Sequence, residues 1–356
     1  MIVKVQSLPI VITYVILFNA CQSSGPSKTD KPVLTSSDSL DMELEKSLSL
    51  FQALPTTSEN PENLRTEEKV KLGHVLYYDT RLSENNSISC NSCHDLNMFG
   101  VDRKSFSPGH KGQLGGRNSP TTLNASLHFS QFWDGRAKDV EEQAGMPITN
   151  PDEMAIPNET YMEKRLKEAP MYKKLFSEAF PDDKNPVSYG NLKKAIGAFE
   201  RELITPSRFD KYLNGDKSAL SIEEKRGMLT FVKVGCASCH NGPLLGGNMF
   251  QKTGLFGRIE DYTKSKKQDM GRFEITKNES DKFVFKVPSL RNIAETYPYF
   301  HDGSVQDLGE AISIMGKIQL NKELSEQEIS DIVLFMKSLT GEVPSFAKVK
   351  PAELNP

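Results

Sequence analysis

Two copies of one five-residue pattern restrict what this chain can fold into more than any other feature of its sequence. The pattern is CxxCH, and its residues are Cys90, Cys93, His94, Cys236, Cys239 and His240. In such a motif the two thiols form thioethers with the vinyl groups of a haem, and the adjacent imidazole binds the iron. The sequence therefore predicts two covalently attached c-type haems, whose proximal ligands are His94 and His240.

Other uses of paired cysteines account for less of the pattern. A thioredoxin-like redox pair requires no adjacent histidine, and it belongs in a βαβ unit that the flanking sequences do not resemble. A zinc site made of four thiolates would leave both histidines without a role, and its two halves would stand much farther apart in the chain than those of a zinc ribbon. Structural disulfides are the main alternative that the sequence leaves open.

The second axial position of each iron decides what each haem can do. A second strong ligand gives an electron-transfer haem, and methionine in that position tends to raise the reduction potential. An open position, or a ligand that can leave, gives a haem that can bind a peroxide. The motifs alone do not distinguish an electron carrier from a catalyst.

The length of the chain, 356 residues, fits two domains, one for each motif. Hydrophobic residues make up 37% of the chain and charged residues 26%, which is typical of an ordinary globular protein. The formal net charge of −3 lacks the basic excess of a protein that binds nucleic acid. We therefore expect a globular protein with no nucleic-acid partner.

The first residues have the composition of a secretory signal. An apolar run of residues 7–20 follows a single lysine and is too short to span a bilayer comfortably. We therefore expect residues 1–20 to be a signal peptide and the mature protein to work outside the cytoplasm. Cys21 follows a sequence that resembles a lipoprotein box, which favours lipidation over simple cleavage or a free thiol. Residues 21–60 are then expected to form a flexible tether.

Hydrophobic periodicity is helical wherever it is clear, which predicts an all-α fold. Capping boxes at Ser221 and Ser325 begin two helices, and the first of these leads into the second motif. The first half has its own counterparts, EEKVKLGHVLYY before its motif and SYGNLKKAIGAFEREL after it. Outside the two motifs the sequence shows no repeat. We expect two cytochrome c-like domains with long loops, residues 61–215 and 216–345, each carrying one haem, and a tail of residues 346–356.

Five blocks of this sequence resemble those of a known family, the bacterial diheme cytochrome c peroxidases, which include the diheme enzymes that mature methylamine dehydrogenase. The blocks are RLSENNSISCNSCH, GGRNSPTTLNA, QFWDGRAKDVEEQAGMPITNPDEM, GCASCH and FKVPSLRNIAETYPYFHDGS, within residues 61–344. The resemblance implies reduction of hydrogen peroxide to water in the periplasm, with electrons from a small donor such as cytochrome c or a cupredoxin. It also implies two all-helical domains, and because many such enzymes are dimers we expect a homodimer.

The resemblance assigns the peroxidatic role to the haem at His94. It implies that His110, in the glycine-rich SPGHKGQLGG, is a removable distal ligand of that haem, although a loop histidine alone would be expected to be exposed. By the resemblance, Glu153 occupies the family's position for the residue that moves a proton between the two peroxide oxygens. Gln143 matches a neighbouring residue of the family's pocket. Trp133, the single tryptophan, occupies a position between the two haems.

The resemblance assigns electron entry to the haem at His240, with Met315 as its second axial ligand. Met249 and Met270 are weaker candidates, because a methionine more often fills a core. The maturation enzymes use a tyrosine as this ligand, and residues 303–342 contain none. This difference favours a peroxidase over a maturation enzyme.

The resemblance also implies a calcium ion at the domain interface. Its ligands would be the side chain of Asn118 and backbone carbonyls at Thr296 and Pro298. Oxygen ligands of this kind suit a hard cation. From the sequence alone, Asn118 would be a turn residue.

Two other functions stay open at this point. A diheme electron carrier or redox sensor would keep His110 bound, so that no peroxide site would open. An oxidase that modifies a protein substrate would be favoured by a tyrosine in place of Met315.

Overall fold

The computed structural model describes residues 42–263, 265 and 268–355. The predicted signal peptide, Cys21 and most of the predicted tether lie outside the described residues. The described residues belong to one compact unit. None of their helices has the length and apolar character needed to cross a membrane.

The sequence predicted an all-α fold, and the structure is mostly helical with a small amount of sheet. The bounds of the helices are Glu67–Tyr78 (α1), Cys90–Cys93 (α2), Val140–Thr149 (α3), Glu159–Glu168 (α4), Pro170–Ala179 (α5), Tyr189–Glu200 (α6), Arg208–Leu213 (α7), Ile222–Val234 (α8), Glu260–Thr263 (α9), Phe273–Thr276 (α10), Leu308–Leu320 (α11) and Glu326–Lys337 (α12). Long connections separate many of these helices. The cysteines of the first motif form α2, and the second motif begins two residues after the end of α8.

Helices α8 and α12 begin at the predicted capping boxes. The Ser221 hydroxyl accepts a hydrogen bond from the Glu224 N–H, and the Glu224 carboxylate accepts one from the Ser221 N–H. Ser325 and Glu328 exchange the same pair of bonds. Each box satisfies N–H groups that have no partner within the helix, and this is why both helices begin at these serines.

In the first half, helices α1 and α6 cross at a glycine. A Cβ atom on Gly73 would lie 1.9 Å from the carbonyl oxygen of Ala195 and 2.8 Å from the Cβ of Phe199. The two backbones therefore approach too closely for any larger residue. Buried side chains of α1, α3, α5 and α6 form the first hydrophobic core around this crossing.

Helices α8 and α12 repeat this arrangement in the second half. A Cβ atom on Gly227 would lie 2.0 Å from the carbonyl oxygen of Asp331 and 3.0 Å from the Cβ of Phe335. In both halves a glycine of the earlier helix lies against two residues of the later helix, which we call the closing helix. The first contributes its backbone carbonyl, and the second, four positions further along the chain, is a phenylalanine. Each half thus contains a helix crossing of the same kind, although the sequence shows no repeat outside the two motifs.

The two ends of the described chain pack on different halves. Leu44 and Phe51, within the predicted tether, are buried in the second core. Ala347, within the predicted tail, is buried in a cluster with Tyr77 of the first half. Phe209 of α7 also belongs to the second core, so that core begins before the predicted boundary at residue 215.

Two short strands form a small sheet that the periodicity did not predict. Strands Phe250–Lys252 (β1) and Val284–Lys286 (β2) are antiparallel, and Phe250 pairs with Lys286. Three residues are too few to show an alternating pattern in the sequence. The sheet lies beside the second motif, because Gln251 of β1 is 3.8 Å from the sulfur of Cys239.

Candidate functional site

The first CxxCH motif lines a cavity of about 410 Å³. Among the residues that line it are Cys90, Cys93, His94, Asn118, Trp133, Gln143 and Glu153. They come from α2, from α3 and from the connections before and after α3. The structure therefore brings most of the predicted peroxidatic residues to one cavity.

Hydrogen bonds hold the backbone of this motif in place, and burial sets the protonation state of its imidazole. Ser89 and Ser92 form a capping box that begins α2, and the Tyr77 hydroxyl donates a 2.8 Å bond to the carbonyl of His94. The Nδ1 atom of His94 is buried with no hydrogen-bond partner among the described residues. Burial lowers the pKa of this imidazole, which keeps the ring in the neutral form that binds metals.

The four cysteines of the two motifs, all within the described ranges, are free thiols. Burial raises the pKa of Cys93 and of Cys236 to about 11, and it raises the pKa of Cys90 further. The disulfide alternative is therefore not supported. A zinc site made of both cysteine pairs is not supported either. The described residues contain no cluster of three or more His, Cys, Asp or Glu side chains able to hold a metal ion.

His110 is buried near the first cavity but does not line it. Its Nε2 atom lies 2.9 Å from a carboxylate oxygen of Glu84, within ion-pair distance but not aligned for a hydrogen bond. Its Nδ1 atom lies 3.1 Å from the side-chain nitrogen of Gln113, and its backbone N–H donates to the carbonyl of Glu153. The imidazole predicted as a removable ligand is therefore held at the edge of the cavity by other side chains.

Glu153 has the environment of a buried acid. Its carboxylate accepts a 2.9 Å hydrogen bond from the amide of Asn150 and lines the cavity. Burial raises the pKa of Glu153, and the positive charge of Arg136 and the Asn150 bond oppose that rise. A raised pKa makes a carboxylate a stronger base, which suits a group that has to accept a proton and return it.

Trp133 lies between two cavities. It lines the first cavity together with His94 and a second cavity together with His240. The indole N–H donates a 2.9 Å bond to the carbonyl of Asn118, and the ring meets His301 edge to face at 6.3 Å between centroids. These contacts hold an aromatic ring in one orientation between the two motifs.

The second motif lines a cavity of about 240 Å³. The Nδ1 atom of His240 lies 3.0 Å from the carbonyl oxygen of Leu245, so Nδ1 carries the hydrogen and Nε2 keeps a free lone pair. Met315 of α11 lines this cavity, and Met336 of α12 also reaches it. The weaker candidates named from the sequence, Met249 and Met270, do not line either cavity.

Asn118, Thr296 and Pro298 all line the second cavity. The Asn118 side-chain nitrogen donates a 2.8 Å bond to the carbonyl of Lys104. That bond leaves the amide oxygen as an acceptor, which is the atom that a hard cation requires. The predicted calcium positions therefore line the same cavity.

Both cavities fit a covalently attached haem. Each has two free thiols beside a half-buried imidazole, and these are the groups that form thioethers and bind iron. Burial lowers the pKa of both imidazoles, so both are in the ligand form. When a haem is bound, Cys90, Cys93 and His94 would hold it in the first cavity and their counterparts would hold it in the second.

Sequence reasoning missed two charged groups in these cavities. Glu200, at the end of α6, lines the first cavity, and burial raises its pKa to about 8, with Glu141 adding to the rise. Lys286 lines the second cavity beside His128. No local pattern marks these positions, because their burial results from contacts with distant parts of the chain.

Comparison with known proteins agrees with this geometry. A family model described as di-haem cytochrome c peroxidase matches residues 67–218. The cytochrome c551 peroxidase of Nitrosomonas europaea is 48% identical over 293 residues, covering 82% of this chain and 85% of the relative. The cytochrome c551 peroxidase of Pseudomonas aeruginosa is 43% identical over 300 residues, covering 83% and 85%.

A solved structure has a similar fold. The crystal structure of a MauG-like protein associated with microbial copper homeostasis superposes with a TM-score of 0.74 at 30% identity. The match covers 84% of this chain and 97% of that protein.

Proposed function

The chain belongs to the di-haem cytochrome c peroxidase family and is an oxidoreductase of that class, and we propose that it reduces hydrogen peroxide to water in the periplasm. We propose that the electrons come from a small donor such as cytochrome c or a cupredoxin. Two c-type haems, as the family has, would be the cofactors.

The proposal depends mainly on one observation, the shared cavity of His94 and Glu153. A haem held by the first motif would supply the redox chemistry of peroxide cleavage. Cleavage also requires a proton to move from one peroxide oxygen to the other. Glu153 lines the same cavity and has a raised pKa, so it is suited to accept that proton and return it.

The neighbours of Glu153 support this role. Asn150 holds one carboxylate oxygen, and this bond orients the group toward the cavity. Gln143 lines the same cavity and can hydrogen-bond to a peroxide through its amide. We propose that Gln143 orients the substrate and that Glu153 moves the proton.

We propose that His110 controls access to the first cavity. Its imidazole contacts Glu84 and Gln113 and does not line the cavity, so the described conformation suits an open site. Gly109 and Gly112 flank the imidazole, and Gly112 has a φ of +82° with no atom near its Cβ position. Gly112 therefore gives the loop a point at which its backbone can change conformation, as a removable ligand requires.

We propose that electrons enter through the second haem, with His240 and Met315 as its axial ligands. Trp133 lines both cavities and would couple the two haems. We also propose a calcium ion at Asn118, Thr296 and Pro298, lipidation at Cys21 and assembly as a homodimer. These last three proposals follow from the resemblance and the leader sequence.

The first test measures peroxide-dependent oxidation of a reduced small cytochrome by the haem-loaded mature protein. It is run with and without prior one-electron reduction, and also with a His110→Gly variant. We expect the wild-type protein to turn over only after prior reduction. We expect the His110→Gly variant to turn over without it. Turnover in both states of the wild type would keep the peroxidase and exclude control by His110. No turnover in either state, with both haems attached, would contradict the peroxidase and favour an electron carrier or sensor.

A further inference from the structure

Lys286 places a buried positive charge at the wall of the second cavity. It is the last residue of β2, only 6% of it is exposed, and its backbone N–H donates to the carbonyl of Trp133. Its side-chain nitrogen lies 2.7 Å from Nδ1 of His128. Both residues line the cavity that contains His240.

This charge has no carboxylate partner among the described residues. The contact that the structure gives the Lys286 ammonium group is with the imidazole of His128. Asp134 attracts it from a longer distance, but the Asp134 carboxylate already contacts Arg117 at 2.5 Å and Arg136 at 2.9 Å. Burial lowers the pKa of Lys286 to about 7, which reflects the cost of an ammonium group without an anion nearby.

His128 adds a second hydrogen-bond donor to the same wall. Because Nδ1 faces an ammonium group, it acts as the acceptor, and the ring hydrogen is on Nε2. That Nε2 atom is buried and has no partner among the described residues. The ammonium group has one acceptor, Nδ1 of His128, for its three N–H groups, and the Nε2 donor of His128 has none. An anion at the cavity would therefore satisfy Nε2 and the remaining N–H groups of Lys286.

We propose that Lys286, oriented by His128, binds a propionate carboxylate of the haem attached at His240. This inference rests on the proposed haem in the second cavity. A positive charge beside the haem would favour the reduced iron, so Lys286 would raise the reduction potential of the haem through which electrons enter. A free carboxylate or phosphate from solution has the same chemistry, and the experiment separates the two sources.

The test is the midpoint potential of the second haem in Lys286→Met, measured by optical spectroelectrochemistry on the haem-loaded protein. Lys252→Met is the matched control, because Lys252 lies in the same sheet and is exposed. We expect the reduction equilibrium of that haem to shift about tenfold toward the oxidised form, which is about 59 mV for one electron. Lys286→Arg should keep most of the wild-type potential. Equal potentials in Lys286→Met and Lys252→Met would overturn the proposal.

Added acetate and phosphate distinguish the source of the anion. If the propionate occupies the site, neither anion changes the wild-type potential. If a free anion occupies it, the wild-type potential changes with anion concentration and that dependence disappears in Lys286→Met, which would overturn the assignment to the haem.

Loss of the haem in Lys286→Met is also informative. In that case Lys286→Gln is used in place of Lys286→Met, because an amide side chain can keep a polar contact with His128. If neither neutral variant attaches the second haem but Lys286→Arg does, a positive charge is required and the proposal is supported. If Lys286→Arg fails as well, the position is structural and the proposal is wrong. The potential is measured without peroxide, so failure of the peroxidase function would leave the result interpretable.

Discussion

Glu153 and Glu84 both place a carboxyl group near the first cavity, and their different burial gives them different chemistry. Glu153 lines the cavity, and burial raises its pKa. The side chain of Glu84 is 43% exposed and faces His110 and Lys111. At the scale of single residues, the first is suited to move a proton and the second to hold an imidazole away from the cavity.

Replacing Glu153 with Gln should lower the turnover number for peroxide by about 10² to 10⁴, because an amide cannot accept and return a proton. Steady-state kinetics with a reduced cytochrome measure this, and the haem spectrum shows whether the cavity is intact. Asp152→Asn is the control, because Asp152 is the exposed neighbour. Equal turnover in the two variants would exclude Glu153 as the proton carrier.

If His110 is the removable ligand that we propose, replacing Glu84 with Gln should favour its binding to the haem of the first cavity. The Glu84 side of this contact is 43% exposed, so we expect its loss to be worth no more than that of an exposed pair, about 0.2–1 kcal/mol. That energy corresponds to a change of up to about fivefold in the ratio of the two His110 positions. Electron paramagnetic resonance of the half-reduced protein measures the fraction with two axial ligands at that haem. Lys111→Met removes the other partner of Glu84, 3.5 Å away, and should have no such effect. An unchanged fraction in Glu84→Gln would mean that Glu84 does not hold His110.

At the scale of elements, each half depends on one helix crossing at a glycine. Gly73 faces the carbonyl of Ala195 and Gly227 faces that of Asp331. In each half the earlier helix stands before the CxxCH motif and the closing helix stands after it. The crossing therefore determines where the motif and its cavity lie relative to the core.

Replacing Gly73 or Gly227 with Ala should lower the free energy of unfolding by about 3 kcal/mol or more, because the added methyl group would meet backbone atoms that cannot rotate away. Gly190→Ala, in α6, is the matched control. The atom closest to its Cβ position is the Ser188 hydroxyl at 4.0 Å, so alanine should stabilise the helix by about 0.5–1 kcal/mol. Denaturant unfolding of the haem-loaded protein measures both changes. Similar stability in all three variants would contradict the close crossing.

At the scale of the whole molecule, the ends of the described chain cross to opposite halves. The segment before residue 55 packs on the second core through Leu44 and Phe51. The segment after Val343 packs on the first half, where the Tyr78 hydroxyl donates to the carbonyl of Ala347 and Lys71 pairs with Glu353. Both ends therefore contribute to the folding of the halves that carry the cavities.

Replacing Ala347 with Asp should destabilise the first half by several kcal/mol, because it would bury a carboxylate without a partner. Lys348→Asp places the same group one residue later on the exposed side and should change stability by less than about 0.5 kcal/mol. Thermal unfolding followed at the absorption of the haem proposed for the first cavity measures the difference. If both variants melt at the same temperature, the tail does not support the first half.

Short-range chemistry explains what the sequence by itself determined. Three features depend on residues that are close together in the chain: the two CxxCH motifs, the helical fold and the capping boxes at Ser221 and Ser325. Their patterns can therefore be recognised in the sequence. Family resemblance added Glu153, Trp133 and Met315, and the structure places each of them at a cavity.

Only the tertiary structure decided which groups are buried together. Lys286 and His128 are 158 residues apart, and neither has a local signal, yet their contact puts an unbalanced charge in the second cavity. The same holds for Glu84 beside His110 and for the crossings at Gly73 and Gly227. The cost of burying a charge and the closeness of two backbones are properties of long-range contacts, and no sequence pattern encodes them locally.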